Sequence, residues 1–290
     1  NWGTTWESAG ERHSTFYGLL PFAEQVNLSN TINAGAPDPT QSASVQTPNG
    51  PHSLRPYTPY KAKISYHYCP SDPGAAGPAW GESSAQAGIC YAVNLGDSTR
   101  GANGGNFVSA AGTRGMFEHR NGKTIAFATD GTSNTLLMSE ITIYLGEGKL
   151  HGHYTILSPS TFRAAPITCA QTKGPNSTIV GPFPSSHRRH GEAWMSGYPM
   201  IMGFNTILPP NSPSCANDRG EWAEGIFPAN SYHTGGVNAV LTDGSVHFIS
   251  ENIDTGNLTL PVPVGGGPSP YGVWGAMGTA NAGESYSYEF

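Results

Sequence analysis

Ser231-Tyr-His-Thr-Gly-Gly-Val-Asn-Ala-Val-Leu-Thr-Asp-Gly-Ser-Val-His-Phe-Ile-Ser250 decides the fold. Asp243-Gly244 is a favoured two-residue hairpin loop, because a type I′ turn needs positive φ at both central residues. Pairing outward from that turn sets Thr242 against Ser245, Leu241 against Val246 and Ala239 against Phe248. Val237, Ala239, Leu241, Val246 and Phe248 then share one face, while Asn238, Thr242, Ser245 and His247 take the other. A sheet with one packed and one polar face is antiparallel in character, and the apolar set fixes its register.

The rest of the chain suits a β-rich, loop-rich molecule. Gly (38) and Pro (24) make up about a fifth of the 290 residues, against a usual share of roughly 12%. That abundance argues against a helical protein. Charged residues are only 12%, which argues against a chain kept unfolded by self-repulsion. The net charge is −6 and the 14 basic residues are spread thinly, so no basic face for nucleic acid is expected. There is no run of 18 apolar residues, and nothing in the sequence reads as a membrane span. The chain starts at Asn1 rather than Met, so a removed or separate N-terminal segment is expected.

The expected class is α+β: an antiparallel sheet, one short N-terminal helix and long irregular loops, in a single domain over 1–290. Pro21 opens the helix, with Phe22 and Val26 on one stripe, Leu28 and Ile32 on a second, and Gly35 as the stop. Residues 1–60 hold this helix and a loop. Residues 61–144 hold a first sheet segment, with strands expected at 62–68, 89–94, 124–129 and 135–141. Residues 145–230 form a loop-rich insertion, and 231–290 the C-terminal hairpin and tail. A turn echo, Thr129-Asp130-Gly131 and Thr242-Asp243-Gly244, reads as one good turn chemistry used twice.

Cys69, Cys90, Cys169 and Cys215 form an even set without zinc-like spacing. Low charge, high Gly and Pro, and long loops are features of secreted chains, so two local disulfides are expected, Cys69–Cys90 and Cys169–Cys215. Asn27, Asn176 and Asn257 head Asn-x-Ser/Thr triplets that a glycosylating cell would modify.

Six segments in order carry a family resemblance. They are Leu20-Pro-Phe-Ala-Glu-Gln25, Cys69-Pro-Ser-Asp-Pro73, Thr129-Asp-Gly-Thr-Ser-Asn-Thr-Leu-Leu137 with Glu140, Phe204-Asn-Thr with Leu208-Pro-Pro-Asn-Ser-Pro-Ser-Cys215, His233-Thr-Gly-Gly-Val-Asn238 with Asp243-Gly-Ser-Val246, and Gly272-Val-Trp-Gly-Ala-Met-Gly278. From about residue 11 to about residue 284 the chain resembles the planctomycete family of secreted, pseudopilin-like proteins with a C-terminal His-x(9)-Asp-Gly signature, here His233, Asp243 and Gly244. The resemblance implies a pilin-like sheet, an extracellular or cell-surface location, and a prepilin leader with an apolar helix ahead of Asn1. Without that helix, assembly would use another interface, such as an exposed sheet edge or strand exchange.

The candidate sites read mainly as structural. The strand from Val237 to Thr242 spans about 17 Å at roughly 3.3 Å per residue, so His233 is expected at one sheet end and Asp243 in the turn at the other. Asp130 and Asp243 are loop carboxylates of the kind that hold Ca²⁺, and no other cofactor is expected. His151 and His153 would share one face of a strand, and these, with His187 and His190, read as unliganded surface histidines. Glu192, Glu221 and Glu224 are the carboxylates a glycosidase reading would use. No nucleophile elbow or phosphate-binding glycine loop is present. Trp194, Tyr198, Phe204, Trp222 and Phe227 would serve as a core under the loops, as subunit contacts or as sugar platforms. The expected function is a non-enzymatic structural subunit that partners with itself, with a polysaccharide-binding module as the alternative.

Overall fold

The computed structural model describes residues 13–35, 57–75, 86–101, 113–118, 123–184 and 189–284, with Tyr286 and Tyr288. Its strands are β1 (Tyr91–Asn94), β2 (Leu136–Glu140), β3 (Tyr154–Ile156), β4 (Gly203–Phe204), β5 (Ser214–Ala216), β6 (Gly225–Ile226), β7 (Gly236–Leu241) and β8 (Val246–Ser250). Its α-helices are all short: α1 (Thr15–Leu19), α2 (Val26–Ala34), α3 (Pro159–Ala164), α4 (Ile167–Ala170), α5 (Pro199–Met202) and α6 (Gly272–Gly278). The class is α+β. The main sheet has the order β4-β1-β2-β7-β8, and a smaller one the order β3-β5-β6. All pairings are antiparallel except β1 with β4 and β3 with β5.

Strand alternation builds the core. Ala92, Leu136, Val237, Ala239, Leu241 and Ile249 face one side, where Trp274 and Met277 of α6 cover them. Trp274 also donates its indole N–H to the Leu208 carbonyl at 2.8 Å, which satisfies the one polar atom of a fully buried ring. On the opposite side, Tyr91 and Met138 pack under Phe16, Leu20, Ile32, Tyr60 and Trp194. The central strands are therefore buried on both faces. The cover thins toward the β7–β8 end, where Val246 is 67% and Phe248 47% exposed.

The hairpin exists, but one residue out of the expected register. Val240 opposes Val246, Asn238 opposes Phe248, and Val237 opposes Ile249. The cause is the turn. Leu241 N–H donates to Ser245 O at 2.9 Å, Gly244 N–H donates to Leu241 O at 3.0 Å, and only Gly244 has positive φ, +90°. This is a three-residue loop, a type I turn closed by a left-handed glycine. The slip sends Val246 and Phe248 to the outer face and Ile249 inward.

Other local expectations are also corrected. Residues 62–68 are not a strand: Ser65–His67 is a 3₁₀ turn, and the buried residues Ile64 and His67 stand three apart, the 3₁₀ spacing. Ile125–Phe127 is a 3₁₀ turn as well. The helix opening at Pro21 is split. Leu20–Phe22 is 3₁₀, Glu24 adopts φ +60°, and α2 then starts at Val26 and stops at Gly35. Phe22 and Val26 are exposed, and Ile32 is the buried residue of the two stripes. Instead of a single short helix, six are described, and the region 145–230 contains the second sheet.

Cys169 and Cys215 form a disulfide that ties α4 to β5. The expected Cys69–Cys90 bond is absent: both are buried free thiols. They share an apolar cluster with Ile143, yet their sulfurs face different partners. Cys90 Sγ lies 3.5 Å from Asp72 Oδ2, and Cys69 Sγ lies 3.5 Å from His233 Nε2.

Candidate functional site

Three of the segments singled out in the sequence meet at one end of the main sheet. Cys69 begins a turn, Cys69-Pro70-Ser71-Asp72, closed by Asp72 N–H donating to Cys69 O at 3.0 Å; Pro at its second position presets the turn. Asp72 anchors it, accepting from Gly74 N–H at 2.7 Å and Ile143 N–H at 2.8 Å. Glu140 is the last residue of β2. His233 lies in the loop entering β7, held by its N–H donating to Ser231 Oγ at 3.0 Å, while that hydroxyl donates to Gly236 O at 2.7 Å.

The three side chains converge. His233 Nε2 is 3.1 Å from Glu140 Oε1 and 3.5 Å from Cys69 Sγ. Asn238, beside Glu140 in the β2–β7 register, donates its N–H to Glu140 Oε2 at 2.7 Å and its amide to both carboxylate oxygens at 3.3 Å. Cys69 and Glu140 are buried, whereas the His233 side chain is 31% exposed and opens the cluster to solvent. Burial pushes the Cys69 thiol up, and the nearby Glu140 carboxylate adds to that. Burial also raises Asp72, against the pull of the Ile143 and Gly74 N–H groups. Among the described residues this is the one group of three or more His, Cys, Asp or Glu donors arranged to hold a metal ion.

Asp243 lies at the far end of β7 from His233, as expected from strand length. Its carboxylate accepts from the N–H and hydroxyl of Ser245 at 2.9 and 2.7 Å, which hold it below the usual range. Asp130 accepts from the N–H groups of Ala282 and Gly283 at 2.7 and 2.9 Å. The two echoed turns are neighbours, since Asp243 N–H donates to Thr132 O at 3.1 Å. Each carboxylate is nonetheless taken up by backbone donors of its own. Asn27, Asn176 and Asn257 are all exposed.

The histidines depart from the surface reading. His153 and His190 are buried, and burial lowers each to about 4. Gly152, at φ +75°, turns the chain between His151 and His153, so they do not share a strand face. His151 stacks on Tyr232 with ring centroids 4.4 Å apart, and His153 Nδ1 accepts from Gly148 N–H at 2.9 Å. His187 lies outside the described residues. Glu224 is buried in an ion pair with Arg163 and accepts from Thr99 Oγ1 at 2.6 Å; Glu192 is buried too. Trp194, Tyr198, Phe204 and Phe227 are core residues, and Trp222 alone of the five is open, at 51%.

His233 meets Glu140 and Cys69 rather than loop groups alone, and Cys69 is a free thiol rather than half of a disulfide. The usable signal was that Cys69, Glu140 and His233 each sat in a separate motif segment, though no linear spacing joins them.

Residues 1–256 match the family model described as a protein of unknown function, DUF1559, and the chain belongs to that family. No curated protein and no solved structure matches it. Among the described residues, no helix is long and apolar enough to cross a membrane.

Proposed function

We propose that this protein is a non-enzymatic, pseudopilin-like structural subunit of an extracellular or cell-surface assembly, and that copies associate through the β8 edge. The observation carrying this reading is that β8 ends the five-stranded sheet with Val246 and Phe248 exposed on its outer face. An edge strand offers a row of N–H and C=O groups to a further strand. Alternate residues of β8 pair inward with β7, so Val246 and Phe248 direct their backbone groups outward. Proteins that stay single usually blunt such an edge with charge or proline; Val246-His-Phe-Ile-Ser250 has neither at its apolar positions. The disulfide fits an oxidising, extracytoplasmic setting.

The polysaccharide alternative has less support, because four of its five loop aromatics are in the core and a stacking platform reduces to Trp222. Negative-stain microscopy with sedimentation velocity over a concentration series tests the proposal. Ordered oligomers or fibres are expected from the wild type, and the Val246→Lys/Phe248→Lys double variant should lose them while keeping its fold. A wild type that remains monomeric throughout the series would sink it.

A further inference from the structure

We propose that Cys69, Glu140 and His233 form a centre for a divalent transition metal of the zinc class, with one coordination position left for water or an external ligand. The inference is independent of assembly through β8.

Geometry carries it. Usual Zn–S, Zn–N and Zn–O lengths at a tetrahedral angle place sulfur and nitrogen about 3.5 Å apart and nitrogen and oxygen about 3.4 Å apart. The observed separations are 3.5 Å for Cys69 Sγ to His233 Nε2 and 3.1 Å for His233 Nε2 to Glu140 Oε1. All three donor atoms lie within 4.8 Å of one another. The donors are a thiol, an imidazole and a carboxylate, a mixture that suits zinc-class ions; Ca²⁺ and Mg²⁺ take oxygen.

A thiol–imidazole–carboxylate set also suggests a nucleophile triad. In a triad the base meets the nucleophile with one ring nitrogen and the orienting acid with the other. Here Cys69 and Glu140 both approach Nε2. One nitrogen cannot relay between two neighbours, but one cation can gather all three atoms. The support expected around a metal ligand is present as well. Asn238 fixes the Glu140 carboxylate with its N–H and amide, and the Ser231 hydroxyl fixes the His233 backbone. Exposure at His233 supplies the entry path. On binding, the Cys69 thiol gives its proton to solvent and the thiolate coordinates.

The test uses tag-free full chain, stripped with chelator under reducing conditions and titrated with Co²⁺. One equivalent should produce tetrahedral cobalt bands and a thiolate-to-cobalt charge-transfer band, both erased by Zn²⁺, and Zn²⁺ should raise the melting temperature. The charge-transfer band should vanish in Cys69→Ser and persist in Cys90→Ser. Affinity should drop at least ~10-fold in Glu140→Gln and His233→Gln, and about 10- to 100-fold in Asn238→Ala, which acts through Glu140. Circular dichroism checks each variant. Should Cys69→Ser not fold, the wild-type and Cys90→Ser spectra still decide, since the protein has only two free thiols. The proposal is overturned by a wild type that takes up no stoichiometric cobalt, by a thiolate band that survives Cys69→Ser, or by a Cys69–Cys90 disulfide in the native protein.

Discussion

Asn94, fully buried at the end of β1, joins three elements through one side chain. Its amide donates to Leu136 O and Gly278 O, both at 2.8 Å, and its carbonyl accepts from Gly96 N–H at 2.8 Å. Asn94→Ala would strand two carbonyls and an N–H away from water, so a loss of about 2–4 kcal/mol is expected. Urea denaturation measures it, and an unchanged midpoint refutes the assignment. His153 and His190 set an acid limit. Both stay neutral in the folded protein down to about 4, while an unfolded histidine protonates near 6.5. Between these values the unfolded chain binds more protons, so stability is full above about pH 6.5 and falls as the pH drops toward about 4. Melting curves across that window should show the decline, and His153→Gln/His190→Gln should lessen it, with His13, His67 and His151, also lowered to about 4 by burial, carrying the rest. A wild-type melting temperature constant over the same range would contradict the assignment. The same scale explains why the hairpin register was misread. Asp-Gly fits both a two-residue type I′ loop and a three-residue loop with glycine last, and the choice reverses the facing of Val246 and Phe248. Letters alone do not separate the two turns; the backbone bond from Leu241 to Ser245 does.

The elements legible in the sequence are those that pair with a neighbouring strand over several residues. β1, β2 and the β7–β8 hairpin lie within stretches that alternate or run apolar, and the sheet is found there. Residues 62–68 and 124–129 have the same local pattern but form 3₁₀ turns. Strand propensity mainly reports how a residue packs against neighbouring strands, and these segments have none. The smaller sheet escaped notice because its strands are two or three residues long, too short for any period to show. The Cys169–Cys215 bond staples this sheet to α4 across a separation of 46 residues. The chain-entropy model gives such a closure about 4 kcal/mol. Cys169→Ala/Cys215→Ala should therefore shift the guanidinium midpoint strongly downward, and a midpoint within error of the wild type would show that the bond contributes little. The candidate site was less legible than the fold: its three residues come from a turn, a strand end and a loop, and only tertiary structure brings them together.

At the scale of the whole molecule, net charge shapes how copies meet. The charge is −6 and the isoelectric point about 5.9, so mutual repulsion weakens as the pH falls toward that value or as salt rises. Sedimentation at about pH 8 and about pH 6.5 should show heavier species at the lower pH, above the range in which the buried histidines destabilise the fold. Lighter species there would mean that attraction between unlike charges, not pairing of apolar edges, holds the copies together.

The topology of the main sheet also governs how the chain is made. Ser139 of the central strand lies opposite Ala239, about 100 positions downstream, and pairings that distant form late and slowly. β2 cannot meet its second neighbour until about 100 further residues have been made. Until then, Leu136 lacks Val237, Ala239 and Leu241 of its apolar cluster. A nascent chain of this kind cannot close its main sheet strand by strand as it emerges; β1 and β2 wait for β7 before the sheet is sealed.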